Sequence, residues 1–395
     1  MSAAGSAATG EDRDLDRMLT LDVLIPTRNR AGQLTRAIES LLAAPVPEGL
    51  AVSIVPVDNG STDGTGPALE WLSARFPGRL HVIHERRCGK SRALNAGILA
   101  TSGDLVGMID DDEEVDVEWY RQVLRAFTED PALDFIGGPY RPVWGTDPPD
   151  WIPRDYLAVL GDVDSGLGER PFTADFDGIL KGGNAVIRRS TLMRVGPYAE
   201  WLGPAGAARL LSCEDEEMYL RLLETGARGR YVPQLVVHHH VSGERLTPGY
   251  FRRWCFWRGV SRGLMDRAHP LPVQYLAGVP RFLYGSAARG LRQVVTRRLA
   301  GRSRSLSDEL KAWDLAGYLW GRHIYTLARF SPVRSRRRLS TRFPQTDSGG
   351  LSHDDLNWNP SCFSSKGNVS QGTGDHHPTG GSRLAEHRRA PAPPC

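Results

Sequence analysis

Six acidic residues stand within seven positions between residues 110 and 116, directly after an apolar run at residues 104–109. The first three are Asp110, Asp111 and Asp112. Clustered carboxylates repel one another unless a cation lies among them, and hard oxygen ligands favour Mg²⁺ or Mn²⁺. Mg²⁺ commonly binds through one or two carboxylates together with substrate phosphates. The cluster therefore indicates a metal site for a phosphorylated substrate. The alternative is a solvated acidic turn before a helix.

A second acidic group, Glu-Asp-Glu-Glu at residues 214–217, opens a helix predicted over residues 214–225. The helix dipole stabilises acids in a first turn, which accounts for two or three of the four. A carboxylate directed into a substrate pocket can instead act as a general base, if it reaches an acceptor hydroxyl. This group is therefore a candidate source of the base.

Three histidines, His238, His239 and His240, follow an apolar run predicted as a strand at residues 234–237. Side chains alternate along a strand, so successive histidines face opposite sides. One neutral imidazole can complete a metal site. A structural role is the commoner fate of a single histidine, and the pattern leaves both readings open.

Gly89, Lys90 and Ser91 open another predicted helix, where backbone N–H groups and the lysine favour an anion. Position 84 is His rather than Gly, so the Walker spacing is absent. No Gly-x-Gly-x-x-Gly follows the first predicted strand either. A P-loop NTPase and an NAD-dependent oxidoreductase are therefore not favoured.

Alternating strands and helices must position these groups. Strands are predicted at residues 21–25, 51–57, 80–83 and 104–109. Helices are predicted at residues 33–43, from the turn near residue 63 to about residue 74, at residues 91–100 and around residues 117–127. Pro26 is expected to stop the first strand. This alternation predicts βαβ units and a mainly parallel sheet, with ligands beyond the carboxyl ends of the strands.

The remainder of the chain is less regular. Residues 140–177 are rich in Pro, Gly, Trp and Asp and are predicted to make a long excursion, with one short regular piece near 156–160. Residues 281–345 combine apolar helical faces with fifteen basic and three acidic residues, a net charge of +12. The polar segments 1–20 and 346–395 are predicted to be disordered.

The composition sets bounds on the class of protein. The chain has 395 residues, 49 of them basic and 46 acidic, which is ordinary for a globular protein. Five scattered cysteines without a C-x-x-C pair favour a reducing compartment. We find neither a run of about 18 to 20 apolar residues nor a signal peptide, and therefore expect a cytoplasmic protein. The arginines lack a nucleic-acid motif, so no nucleic-acid partner is expected.

Taken in order, the motifs resemble the family-two inverting glycosyltransferases with the GT-A fold. The matching segments are residues 23–29, 57–65, 89–97, 109–112, 182–184, 214–215 and 237–239. The resemblance implies a Rossmann-like GT-A domain over residues 21–263, with a nucleotide-binding half at 21–112 and an acceptor and catalytic half at 113–263. A basic helical extension at 264–345 and a tail at 346–395 would follow, after a lead-in at 1–20.

The resemblance also implies a role for each matching residue. The nucleotide-sugar-binding residues would be Pro26, Thr27, Asn29, Asp58, Lys90, Asp110 and Asp111. Asp112, the last acid of the D-x-D motif, and His239 would hold Mg²⁺ or Mn²⁺. Asp215 would be the catalytic base, and Glu214 would support it or contact the acceptor.

The implied reaction is one displacement at the anomeric carbon, which inverts it. UDP-sugars are the default donors, and the acceptor is a carbohydrate, lipid-linked or small-molecule hydroxyl. One alternative is a non-catalytic scaffold that binds a membrane surface or a partner through the basic region, which is compatible with peripheral membrane contact. A nucleotidylyltransferase is disfavoured because residues 26–30 contain no glycine.

Overall fold

The computed structural model describes residues 18–204, 210–301 and 306–325. The strands are β1 (Leu19–Thr27), β2 (Leu50–Asp58), β3 (Ile83–His84), β4 (Leu105–Met108), β5 (Glu113–Val115), β6 (Phe135–Gly137), β7 (Tyr140–Trp144), β8 (Arg170–Phe172), β9 (Ala185–Arg188), β10 (Gly229–Tyr231), β11 (Val237–Val241), β12 (Tyr275–Leu276) and β13 (Val279–Pro280). The helices are α1 (Ala31–Ala43), α2 (Thr65–Arg75), α3 (Lys90–Ala100), α4 (Trp119–Glu129), α5 (Arg189–Val195), α6 (Glu214–Glu224), α7 (Pro248–Met265), α8 (Arg281–Leu299) and α9 (Leu306–Leu319).

Eight strands form the central sheet in the order β3-β2-β1-β4-β9-β6-β10-β8. β1 pairs in parallel with β2 and β4, whereas β9 is antiparallel to β4 and β6. A smaller sheet has the order β5-β11-β7. The predicted α/β class with a mainly parallel sheet is therefore confirmed.

Helices cover both faces of the central sheet, because its strands carry apolar side chains on both faces. Val23 and Ile25 of β1 pack in a cluster with Leu34, Ile38 and Trp119 from α1 and α4. Leu24, between them, faces the opposite cluster, which contains residues of α3, α5 and α6. These two layers hold the carboxyl ends of β1, β2 and β4 at one edge.

Several strand and helix boundaries differ from the prediction. β1 runs through Pro26 to Thr27 and stays paired with β2 over its whole length. Its pairing with β4 ends at Leu24, so the missing N–H of Pro26 costs no hydrogen bond on that side. β3 is confined to two residues, and Leu80 makes only an isolated bridge. The lead-in predicted for residues 1–20 overlaps β1 at Leu19 and Thr20.

The acidic run and the histidines differ from the prediction in the same way. Glu113–Val115 forms a strand, and helix α4 starts only at Trp119. β11 spans the three histidines instead of ending before them, since their backbone pairs with both β5 and β7. The excursion at residues 140–177 contains β7, a 3-10 turn at Arg154–Leu160 and β8.

The C-terminal part that the structure describes is helical, as predicted, and α7 continues across the boundary expected at residue 263. The backbones of α7 and α9 are in contact at two glycines. A Cβ at Gly259 would overlap the carbonyl of Asp314, and a Cβ at Gly317 would overlap the carbonyl of Phe256. Within the described residues, none of the helices is both long and apolar enough to cross a bilayer. Residues 326–395, with the predicted tail, lie outside the description.

Candidate active site

A cavity of about 590 Å³ lies beyond the carboxyl ends of β1 and β4. The predicted site residues that line it are Pro26, Thr27, Asn29, Lys90, Asp110, Asp111, Asp112 and His239. Asp58, Glu214 and Asp215 are absent from this lining. The strand ends therefore gather most of the predicted residues at one place.

The end of β1 is tied to the neighbouring loops. The Thr27 hydroxyl donates to Asp111 Oδ2 at 2.8 Å. Asn29 has a φ of +55°, a left-handed conformation that asparagine tolerates better than most residues. Its Oδ1 accepts from the backbone N–H of Thr62 at 2.7 Å, and its own N–H donates to Ser61 Oγ at 3.0 Å. These bonds fix the rim of the cavity.

Asp58 lies opposite Thr27 at the end of β2, beside the cavity. Its Oδ1 accepts from the backbone N–H of Ser61 at 2.9 Å, which closes the turn. The next residue, Asn59, donates to the carbonyls of Glu85 and Arg87 at 2.9 and 2.8 Å. Asn59 thereby holds the segment that leads into Lys90.

Lys90 joins the two acidic groups of the sequence. It stands at the first position of α3, and its ammonium lies 2.7 Å from Asp110 Oδ1 and 3.6 Å from Glu214 Oε1. The buried ammonium keeps a pKa well above its usual range, because Asp110, Asp215 and Glu214 outweigh the cost of burial. The acids that follow β4 and those that open α6 therefore belong to one site.

Asp111 and Asp112 are both buried, but their carboxyl groups differ electrostatically. Burial raises the pKa of Asp111 to about 6, against the opposing charge of Arg30 at 2.7 Å. Burial favours protonation of Asp112 too, but the guanidinium groups of Arg245 and Arg30 outweigh it and hold its pKa at about 2. Asp112 is therefore the carboxylate that stays ionised at any ordinary pH.

His239 faces the cavity with one nitrogen already committed. Its Nδ1 lies 3.0 Å from the carbonyl oxygen of Leu160, which can only accept, so Nδ1 carries the proton. Burial lowers the pKa of His239 and favours its neutral form. Nε2 then presents a lone pair 3.8 Å from Asp112 Oδ2 and accepts from Arg245 at 2.9 Å. A carbonyl that accepts from the other ring nitrogen is usual behind a metal-binding histidine.

The other two histidines face away, as strand alternation predicts. His238 lies 3.6 Å from Asp116, and His240 lies 2.6 Å from Glu114. His239 is the histidine of the three that lines the cavity, and its role as a metal ligand stays a prediction.

The donor set fits a hard divalent cation. Asp110, Asp112 and Glu113 each offer a carboxylate oxygen, and these oxygens lie within 4.8 Å of one another. Burial raises the pKa of Glu113 well above its usual range, and Asp110 and Asp112 add to that effect. Three carboxylates this close repel one another, and a cation among them would relieve that repulsion. Oxygen ligands of this kind suit Mg²⁺ or Mn²⁺.

Glu214 and Asp215 start α6 behind Lys90. Burial and the neighbouring Asp215 raise the pKa of Glu214 to about 8, against the opposing charge of Lys90. Burial also raises the pKa of Asp215, while Lys90 opposes it. Asp215 Oδ1 is buried and makes no hydrogen bond to any described residue. It is therefore an acceptor without a donor.

Two residues of the site, Arg30 and Arg245, were missed by the sequence analysis, and they bind the carboxylate of Asp112 at 3.2 and 2.6 Å. Glu113, part of the acidic run at residues 110–116, belongs to the acidic triad, and Asn59, after the second predicted strand, anchors the segment before Lys90. Arg30 lies three residues beyond the end of β1, so its position gave a usable signal. Arg245 sits in a 3-10 turn that the sequence did not indicate.

Comparison with known proteins places part of the chain in a known family. Residues 22–196 match the family described as "Glycosyl transferase family 2". The chain is 27% identical over 192 residues to the glucosyl-dolichyl phosphate glucuronosyltransferase of Haloferax volcanii, covering 48% of this chain and 60% of that protein. It is 26% identical over 257 residues to the succinoglycan biosynthesis protein ExoM of Rhizobium meliloti, covering 64% of this chain and 78% of that protein.

Among solved structures, the mannosyltransferase PcManGT of Pyrobaculum calidifontis, in complex with GDP-Man and Mn²⁺, superposes with a TM-score of 0.54. It shares 18% sequence identity, and the match covers 78% of this chain and 88% of that one. At this identity the likeness concerns the fold. Residues 22–196 therefore match glycosyl transferase family 2, and they lie in a domain with the GT-A fold.

Proposed function

We propose that the protein transfers a sugar from a nucleotide-diphosphate sugar to an acceptor hydroxyl, with inversion and with a divalent metal. The observation that carries this proposal is the contact of Lys90 with both Asp110 and Glu214. It puts the acids suited to a metal and the acids suited to base catalysis in one site. UDP-sugars remain the expected donors, by resemblance.

The metal would be held by Asp112 and His239, with Asp110 and Glu113 as the nearest further carboxylates. Bound Mg²⁺ or Mn²⁺ would neutralise the charge that grows on the leaving diphosphate. The protein's own cations, Lys90 among them, line the same cavity and can add to this stabilisation.

Asp215 is proposed to take the proton of the acceptor hydroxyl. Its Oδ1 accepts no hydrogen bond from the described residues, and burial raises the pKa of Asp215, so the carboxylate has a free acceptor atom and is more basic than usual. Glu214, whose pKa is raised to about 8, would hold a proton at neutral pH and leave the negative charge on Asp215. One attack from the acceptor side inverts the anomeric carbon without a covalent sugar intermediate.

The acceptor side is proposed to lie along α7. Tyr250 and Trp254, one helical turn apart, line the cavity together with Arg245. Aromatic faces of this kind pack against the apolar faces of sugars and of many other acceptors. The acceptors implied by the names of the relatives belong to those proteins, and here the class is proposed only as a hydroxyl-bearing carbohydrate, lipid-linked or small molecule.

The stereochemistry of slow donor hydrolysis tests the proposal without knowledge of the acceptor. An α-linked UDP-sugar that binds should first yield the β-anomer of the free sugar in a proton NMR time course. First appearance of the α-anomer would contradict inversion. The scaffold alternative is not favoured, since Asp112, Asp215 and His239 are all present with acidic and imidazole groups suited to catalysis.

A further inference from the structure

Helix α8 exposes an apolar row on the side that faces away from the protein. Its inner face is made by the buried residues Leu283, Ala287 and Gly290. Four other apolar residues, Ala288, Leu291, Val295 and Leu299, recur every three or four positions and are all exposed. We call these four residues the outer row. They share one face because this spacing matches the helical repeat.

The side chains of the outer row are too exposed to belong to the hydrophobic core. The side chains of Leu291, Val295 and Leu299 are 51%, 55% and 84% exposed. Single exposed leucines are normal on a protein surface. A row along three turns of one helix is different, because it forms a continuous apolar stripe that water covers at a cost of roughly 25 cal/mol per Å².

The charge of α8 is of one sign. The helix contains the five arginines Arg281, Arg289, Arg292, Arg297 and Arg298 and has no acidic residue. At 100° per residue, Arg281 and Arg292 lie on one side of the outer row and Arg298 lies on the other, each within about 70° of its centre. Arg297 is turned toward α9, where it lies 3.7 Å from Asp308. The stripe is therefore bordered by cations.

This arrangement discriminates between kinds of partner. A solvated helix face needs no apolar row, and an apolar protein interface does not require arginines on both borders. A helix that lies in the plane of a membrane surface needs both, since the aliphatic side chains enter the acyl boundary and the arginines meet anionic headgroups. Charge complementarity thus points to an anionic lipid surface.

We propose that α8 docks the protein on an anionic lipid surface, with the outer row inserted and Arg281, Arg292 and Arg298 at the headgroups. The helix lies along the surface and does not span it. The proposal does not depend on the donor or the acceptor of the transfer reaction, and it is tested without either.

The test is flotation of the full-length protein with two kinds of vesicle. One contains phosphatidylcholine with about one third phosphatidylglycerol, and the other contains phosphatidylcholine alone. The row variant carries Leu291→Ser, Val295→Ser and Leu299→Ser, and the charge variant carries Arg292→Glu and Arg298→Glu. The matched controls are Leu99→Ser on α3, where the leucine is 73% exposed, and Arg121→Glu on α4.

We expect the wild type and both controls to float with the anionic vesicles and to bind the neutral ones at least about tenfold more weakly. Each α8 variant should lose at least about tenfold in anionic binding, and added salt should release the wild type. Circular dichroism of each variant checks that the helices are retained.

Three results would overturn the proposal. The wild type fails to float with anionic vesicles, it floats equally well with neutral ones, or correctly folded row and charge variants bind like the controls. The last result would assign any lipid binding to another part of the chain. Self-association through α8 without vesicle binding would identify a second copy as the occupant and would equally contradict the proposal.

Discussion

The backbone of Gly182 lies directly against the carboxylate of Asp215, so close that a Cβ at this position would overlap it. The next residue has the same relationship with the acidic triad, because a Cβ at Gly183 would overlap the carboxylate of Glu113. Neither glycine has a positive φ, so the backbone itself would accept alanine. The two glycines are required by the space that two acids occupy.

This relationship predicts that two adjacent substitutions have different effects. Gly182→Ala should displace Asp215 and lower kcat by about 10²-fold, with donor binding retained, because the proposed base loses its position. Gly183→Ala should displace Glu113 and weaken metal-dependent donor binding. Steady-state kinetics and titration calorimetry with Mn²⁺ separate the two results.

Gly168→Ala is the control, since nothing lies within 4 Å of a Cβ at that position. The interpretation fails if both substitutions in the Gly-Gly pair lower kcat and donor affinity equally, or if the control has the same effect as either.

Lys181 should tune the base from outside the cavity lining. Its positive charge lowers the pKa of Asp215, and burial lowers its own pKa. Lys181→Met removes that charge, so the pKa of Asp215 rises. The acid-side midpoint of kcat/KM against pH should therefore move to higher pH. Lys311→Met on α9 is the matched control, and a midpoint that stays in place in Lys181→Met, or moves to lower pH, would argue against Asp215 as the base.

The acids at the carboxyl ends of β2 and β4 were predictable because each follows an apolar run. Asp110 follows the apolar run of β4, and the run before Asp58 is apolar as well, so the sheet had to bring them together. Alternation along the strand predicted that His238 and His239 face opposite sides. The choice of His239 over His238 came from the family resemblance.

Other parts of the site depend on contacts between distant segments, which no local pattern records. Arg245 reaches Asp112 across 133 positions, and the Leu160 carbonyl sets the tautomer of His239 from 79 positions away. The strand that carries Glu113 was not predicted, because the backbone pairing of β5 with β11 arises only in the folded sheet. The prediction that Pro26 stops the first strand was wrong for a similar reason. A proline disrupts a strand only where its missing N–H would have paired with a neighbour, and that depends on which side of β1 is still paired.

Asp215→Asn should stabilise the protein while it removes activity. The folded state raises the pKa of this acid above its unfolded value near 3.9. The charge on Asp215 therefore destabilises the folded protein above the folded pKa, and it has no effect on stability below the unfolded pKa, where the carboxyl is protonated in both states. The gain should be present at neutral pH and vanish in acid, where the carboxyl is protonated in both the folded and the unfolded state. Thermal unfolding at several pH values measures it, with the exposed Asp175→Asn as control. A loss of stability at neutral pH would contradict a net cost of ionising Asp215 in the folded protein.

The central proposal is that Asp112 binds the metal and that Asp215 takes the proton of the acceptor hydroxyl. We would measure binding and slow hydrolysis of UDP-, GDP- and dTDP-sugars, with Mn²⁺ or EDTA, for the wild type, Asp112→Asn and Asp215→Asn. The wild type should bind one donor class only with metal, Asp112→Asn should lose that binding, and Asp215→Asn should keep it while turnover falls about 10²- to 10⁴-fold. Donor binding that ignores both EDTA and Asp112→Asn, or full turnover by Asp215→Asn, would contradict the account.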